Sequence, residues 1–289
     1  MKKLLTGILL AVLVLALAAC GTKEVKDDKT SGGSVDVGED AVVEGEVTTL
    51  TIGASNTPHA IILEKAAPLL KEKGIELKIE PYQDYVLPNK DLESGVLNAN
   101  YFQHIPYLEL QIADNGYDFV NAGGIHIEPI GVYSKKYKTL EELPEGATIL
   151  ISNSVSDHGR VLALLEAKGL ITLAEGVDKA AAELKDIVDN PKNLQFDANY
   201  EPALMPQLYN HDEGDALLIN SNFAIDGGLN PLEDAISIED SESPYVNIIA
   251  VRAGDENNPE IKTLIEVLQS QEIQDFIIEE WGGAIVPVK

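Results

Sequence analysis

The chain of 289 residues has a single cysteine, Cys20, and only two arginines, Arg160 and Arg252, among its 21 basic residues. With no second thiol there is no intramolecular disulfide, so a folded domain must be held by its core. Where lysine is the default surface cation, an arginine is more often present for its planar, bidentate fork. The five histidines, His59, His104, His126, His158 and His211, show no HExxH or related metal spacing. There is also no GxSxG elbow, no P-loop and no GxGxxG after a strand, which removes the usual hydrolase, phosphate-binding and dinucleotide-binding signatures. Paired carboxylates carry little information here, because Asp and Glu total 48 and the formal charge is −27. Such a field repels nucleic acid and anionic headgroups and favours a solvated acidic surface.

What is present begins with Lys2 and Lys3, an apolar run from Leu4 to Leu17, and then Ala18, Ala19 and Cys20. A basic start, an apolar stretch too short for a stop-transfer helix and small residues before the cut make a secretory signal over residues 1–19. Leu17-Ala18-Ala19-Cys20 resembles the lipobox of bacterial lipoproteins, which implies a diacylglyceryl group on Cys20 and a lipid anchor to the cell membrane, outside the cytoplasm. Residues 20–47 follow as an acidic, Gly- and Ser-rich tether without aromatics. As a flexible coil of about 25 residues it would hold the folded part about 25–30 Å from the membrane on average.

From Thr49 the pattern is strand, polar turn, helix, repeated, which predicts an α/β protein. Roughly 270 mature residues suggest two domains. We expect two α/β lobes joined by hinge strands with a ligand cleft between them: residues 48–134 plus about 246–289 forming lobe 1, and 135–245 forming lobe 2. Within this frame Ala99 to Pro106 reads as a loop, Gly123-Gly124 as a hinge and strand entry, Lys179 to Asp186 as a helix, and Arg160 as part of the first turn of a helix starting near His158.

Two stretches carry candidate chemistry. Asn100 to Tyr107 packs three aromatics, a histidine and two amides into a strand-to-helix connection, where α/β folds bind ligands; plain core packing is the alternative. Tyr82 and Tyr85 lie after the preceding strand and could add to the wall. Thr148 to Ser152 leads through Asn153-Ser-Val-Ser-Asp-His-Gly-Arg160 into an apolar helix, where backbone N–H groups and a guanidinium suit a carboxylate; an acidic partner for Arg160 is the alternative. Asn220, Ser221 and Asn222 follow a strand and would face the same cleft, or serve as ordinary turn formers.

As a set, Asn100-Tyr-Phe-Gln-His-Ile-Pro-Tyr-Leu108, His126-Ile-Glu-Pro129, Gly131-Val-Tyr-Ser-Lys-Lys-Tyr137, Asn190-Pro-Lys-Asn-Leu194 and Ser243-Pro-Tyr-Val-Asn247 resemble the NlpA/MetQ family of methionine-binding lipoproteins of ABC importers. The resemblance runs from about Leu50 to the C-terminus. It implies a non-enzymatic, monomeric receptor without cofactor or metal, binding L-methionine between two lobes and serving a permease and its ATPase. Residue by residue it implies that Tyr85, Phe102 and Tyr107, with His104 beside them, wall the thioether, that Arg160 grips the α-carboxylate, and that Asn220 and Asn247 hold the polar end. Asn247 is assigned by the resemblance alone.

One stretch departs from the family pattern. Relatives commonly read Asn-Asp-Pro-Thr-Asn-(Glu)-Gly-Arg where this chain has Asn153-Ser-Val-Ser-Asp-His-Gly-Arg160, which loosens the loop and brings His158 near the carboxylate site. Another amino acid, a short methionine-containing peptide, a non-transport surface lipoprotein or adhesin, and an exported hydrolase are the competing readings; no nucleophile-base pair supports the last.

Overall fold

The computed structural model describes residues 47–240 and 243–288. The expected signal, Cys20 and its tether lie outside the described residues. In chain order the strands are β1 (Thr48–Ser55), β2 (Ile75–Tyr82), β3 (Ala99–His104), β4 (Phe119–Ile127), β5 (Gly131–Tyr133), β6 (Thr148–Ser152) and β7 (Thr172–Leu173). They continue with β8 (Ile187–Asp189), β9 (Gln195–Tyr200), β10 (Ala216–Ile219), β11 (Ala235–Ile238), β12 (Val246–Arg252) and β13 (Val286–Pro287). The helices are α1 (Ile61–Lys71), α2 (Leu87–Glu93), α3 (Ile105–Asn115), α4 (Val155–Ala167), α5 (Met205–Asn210), α6 (Ser221–Asp226), α7 (Pro259–Leu268) and α8 (Gln271–Trp281).

The strands make two main sheets, so the protein is a two-lobed α/β fold. The first has the order β13-β4-β12-β3-β1-β2, with β1 parallel to β2 and β3, and β12 antiparallel to both β3 and β4. The second has the order β11-β5-β10-β6-β9, with β6 parallel to β9 and β10. Each has its own apolar core. Ile52, Ile62, Leu63, Leu70, Tyr101, Leu264 and Ile277 pack around the first sheet, and Val132, Ile149, Ile151, Leu162, Leu165 and Leu218 around the second. Helices α1 and α7 are amphipathic, with Ile62, Leu63, Ala66 and Leu70 on one face and Ile261, Leu264 and Leu268 on the other's, so burial of these stripes fixes them against the first sheet.

Several expectations are corrected. Gly131–Tyr133 pairs with β10 and β11, so the chain passes into the second sheet between Ile127 and Gly131, ahead of the boundary at 135. Asn100–His104 is not loop but the wholly buried strand β3. Its amides are satisfied by one another and by Asn89 of α2: Asn100 Nδ2 donates to Asn89 Oδ1 (2.8 Å), and Gln103 Nε2 to Asn89 Oδ1 (2.9 Å) and Asn100 Oδ1 (2.9 Å). That network lifts the cost that made buried amides look unsuited to a strand. Gly123-Gly124 lies within β4, opposite Ile249 and Ile248 at bulges, and a Cβ on Gly123 would sit 2.8 Å from Ile265.

Lys179 to Asp186 forms two 3₁₀ turns, 179–181 and 184–186, instead of one helix. Asp178 caps the first, and Glu183 with Asp186 makes a capping box on the second. The backbone here runs against α4 so closely that a Cβ on Gly159 would lie 2.3 Å from the Ala180 carbonyl oxygen. Tertiary contact therefore overrides the helix propensity of an alanine-rich run. Helix α4 begins at Val155, which puts Arg160 in the second turn.

Candidate functional site

The register of the first sheet assembles one side of the site. Strand β12 sets Asn247 opposite His104 of β3 and His126 of β4. His104 also caps α3: its Nδ1 accepts from the Tyr107 N–H (3.1 Å), leaving Nε2 to donate to Asp157 Oδ1 (3.0 Å). Tyr85, between β2 and α2, meets Phe102 and Tyr107 with ring centroids 6.0 and 5.9 Å away, and Phe223 of α6 at 5.0 Å. Tyr107 donates its hydroxyl to the Tyr85 carbonyl (2.7 Å), and Tyr85 donates its own to Asn222 Oδ1 (2.7 Å). These rings form a rigid apolar wall at edge and tilted geometries that suit an aliphatic or thioether group.

The second sheet supplies the polar side. Arg160 is buried, and its Nε reaches Glu239 Oε2 (3.1 Å), its Nη2 reaches Glu239 and the Glu128 carbonyl (2.8 Å), and Tyr245 lies face-on to the guanidinium at 4.4 Å. The acidic partner that the sequence left as an alternative is therefore present, though inside the protein rather than on its surface. Nη1, the remaining nitrogen, is 3.6 Å from Asp157 Oδ1. Although burial acts to lower the Arg160 pKa, Glu239 and Asp157 beside it raise it on balance. Burial by itself would raise the Asp157 carboxyl, but the hydrogen bond from His104 and the nearby guanidinium hold it well below the usual carboxylate range. Asn220, at the start of α6, donates Nδ2 to Asp157 Oδ2 (3.2 Å).

All seven residues expected at the site, Tyr85, Phe102, His104, Tyr107, Arg160, Asn220 and Asn247, line one cavity with a free volume of about 20 Å³, room for about one water. Ser221 and Asn222, expected to face the cleft, line it as well, and so do Glu128 and Asp157, which had no role assigned from sequence. Asp157 was within reach, since it stands three residues before Arg160 and so on the same helical face; Glu128 lies inside a quoted motif but has no pattern of its own. Tyr82 does not line it: its hydroxyl bonds Asp91. His158 does not line it either; its Nε2 bonds the Ser152 carbonyl (2.9 Å).

Glu128 in that lining is joined to two further buried groups that sequence spacing did not connect. His59, which precedes α1, His126 and Glu128 bring their donor atoms within 4.8 Å of one another, a set that could reach a metal ion. In this structure they satisfy one another: Glu128 Oε1 is 2.8 Å from His126 Nε2 and 3.2 Å from His59 Nε2, while Tyr101 bonds His126 Nδ1. Burial pushes His59 down to about 4, against the charge of Glu128, and His126 down to about 3, and it raises the Glu128 carboxyl.

Comparison with known proteins agrees with this architecture. The model of the NlpA lipoprotein family matches residues 50–289. The chain belongs to the NlpA lipoprotein family. It is 48% identical to the methionine-binding lipoprotein MetQ of Bacillus subtilis, covering 100% of this chain and 99% of that protein. A crystal structure of an Enterococcus faecalis lipoprotein of the YaeC family, described as a pheromone cOB1 precursor, is 57% identical with a TM-score of 0.82, over 83% of this chain and 100% of that one. A nutrient-binding protein of Burkholderia cenocepacia, solved bound to methionine, is 39% identical with a TM-score of 0.78, over 83% and 100%. The family is one of substrate-binding lipoproteins, not enzymes.

Proposed function

We propose that this protein is an extracytoplasmic receptor, lipid-anchored through Cys20, that captures L-methionine or a close analogue for an ABC permease and its ATPase. The observation that carries the reading is the convergence on one cavity of an aromatic wall (Tyr85, Phe102, Tyr107) and polar groups of both signs (Arg160, Asn220, Asn247, Asp157, Glu128). A flexible thioether gains from aromatic contact, and a zwitterion needs fixed donors and acceptors. The named ligands of the relatives point the same way.

A cavity of about 20 Å³ does not hold an amino acid. Admission therefore needs the walls to part, and the chain passes between sheets twice, from β4 to β5 and from β11 to β12, where lobes 48–127 with 246–288 and 131–238 would pivot. Closure is driven only by contacts that the ligand makes better in the closed form, and Arg160 and Asn220 against the aromatic wall supply them. We take the receptor to act as a monomer without cofactor.

A second reading, a longer ligand such as a methionine-containing peptide, draws on one observation. An outer pocket of about 660 Å³, with Leu110, Val155 and Leu204 in its lining, shares Tyr85 and Tyr107 with the inner cavity. Calorimetry of the full chain with L-methionine, then competition by methionine-containing dipeptides, separates the two. One-to-one methionine binding, lost in Arg160→Ala, supports the first; silence with methionine while a dipeptide binds replaces it with the second.

A further inference from the structure

The buried cluster of His59, His126 and Glu128 decides which way an amide faces inside the cavity. Glu128 Oε1 lies 3.2 Å from His59 Nε2, and Glu128 Oε2 accepts from the Asn222 backbone N–H (3.1 Å). A carboxylate only accepts, so the His59 nitrogen facing it carries the proton. The opposite nitrogen, His59 Nδ1, is buried and has no partner among the described residues, as expected of the unprotonated side: an N–H there would be a stranded donor. The same Nε2 sits 3.0 Å from the Asn247 side chain. A donor at that distance requires an acceptor opposite, which fixes Oδ1 toward His59 and turns Nδ2 the other way. Asn247 is 5% exposed, lines the cavity, and its Nδ2 has no partner among the described residues.

Asn220 is fixed in the opposite sense. Its Nδ2 donates to Asp157 Oδ2 (3.2 Å), again a group that only accepts, so Oδ1 is the end left for the cavity. Two asparagines that look equivalent in sequence thus present opposite polarity: Asn247 a donor, Asn220 an acceptor.

We propose that His59, held in its Nε2–H form by Glu128, is a positioning residue that makes Asn247 a hydrogen-bond donor to the anionic end of the bound ligand, with the ammonium on the Asn220 side. The ligand's carboxylate then lies between Asn247 Nδ2 and Arg160, and its ammonium beside Asn220 Oδ1 and the Asp157 carboxylate. The inference rests on the reading of this cavity as an amino-acid site, but the tautomer at its root does not.

The test has a ligand-free arm and a ligand arm. Long-range ¹⁵N–¹H spectra of the full chain in detergent micelles report the His59 tautomer directly: Nε2–H is expected, and Nδ1–H overturns the proposal whatever the protein binds. Calorimetry then compares L-methionine with L-methioninamide, which lacks the negative charge. Asn247→Asp keeps an acceptor for His59 but turns an oxygen toward the ligand, and is expected to weaken methionine at least about 100-fold and to reverse the preference in favour of the amide. His59→Phe frees the Asn247 amide and should shrink the methionine-to-amide affinity ratio by about tenfold. An unchanged ratio in folded His59→Phe, or retained methionine preference in Asn247→Asp, refutes the relay. If the wild-type chain binds neither compound, the amino-acid reading fails and the spectra alone decide the tautomer.

Discussion

Replacing Tyr85 by Phe removes one hydroxyl and little else. The ring keeps its neighbours Phe102, Tyr107 and Phe223, and the bond from Tyr107 goes to the Tyr85 backbone carbonyl, which the substitution leaves in place. What is lost is the 2.7 Å bond to Asn222 Oδ1, which links the segment after β2 in the first sheet to α6 after β10 in the second. A neutral hydrogen bond contributes about 1 kcal/mol net, rising to about 3 kcal/mol if Asn222 Oδ1 stays buried without a partner. If the bond forms only when the lobes close on ligand, all of that loss falls on the bound state. Affinity should drop between about 5-fold and 150-fold, mostly as faster dissociation. On that condition thermal melting of the ligand-free protein should stay put, because an open form would not make the bond. Stopped-flow and calorimetry with methionine measure the first, and scanning calorimetry the second. An affinity within twofold of wild type, together with a melting midpoint lowered by the whole amount, would mean that the bond belongs to every state of the protein and that the closure argument is wrong.

Arg160→Ala should reduce methionine binding below detection and also destabilise the fold by about 3–5 kcal/mol, since Glu239 and Asp157 would be left as buried carboxylates without their guanidinium; retained affinity counts against its role. Gly159→Ala puts a Cβ 2.3 Å from a backbone carbonyl oxygen, so the Ala180 segment must move; we expect a loss of more than about 2 kcal/mol in urea unfolding, and a neutral result would show that the 3₁₀ segment yields freely. His59 and His126 are neutral when folded down to about 4 and about 3, whereas unfolded histidine takes a proton near 6.5. The unfolded state therefore binds more protons in that window, and stability, full above pH 6.5, falls on acidification by up to about 2 kcal/mol per histidine between pH 6.5 and 5, partly offset by the raised Glu128 carboxyl. Urea midpoints that hold steady or rise over that range contradict the buried, neutral assignment. Cys20→Ala should move the protein from the membrane fraction to the soluble one with methionine affinity unchanged.

How much of this was legible in the chain depends on the distance over which each feature is encoded. Helices α3, α7 and α8 announce themselves through apolar periodicity and a proline or glycine at an end, all local signals. The β3 strand was hidden because Asn100 and Gln103 look unburiable until Asn89, eleven and fourteen residues back, is seen to satisfy them. The 3₁₀ turns near Ala180 were hidden for a similar reason: what bends that segment is the bare face of Gly159 on another element.

The same rule explains which parts of the site could be read. The aromatic wall is written largely in one run, Phe102 to Tyr107, because a strand end and a helix start place those side chains together locally. The polar half is assembled across 188 residues between His59 and Asn247, and across 63 between Asp157 and Asn220, by two sheet registers that no single window contains. Sequence could name Asn220 and Asn247 but not tell them apart, since an amide side chain carries both a donor and an acceptor. The direction each one faces is imposed by a neighbouring carboxylate, Asp157 in one case and Glu128 through His59 in the other. Polarity in this cavity is therefore set by acids in its own lining, which were indistinguishable in a chain with 48 of them.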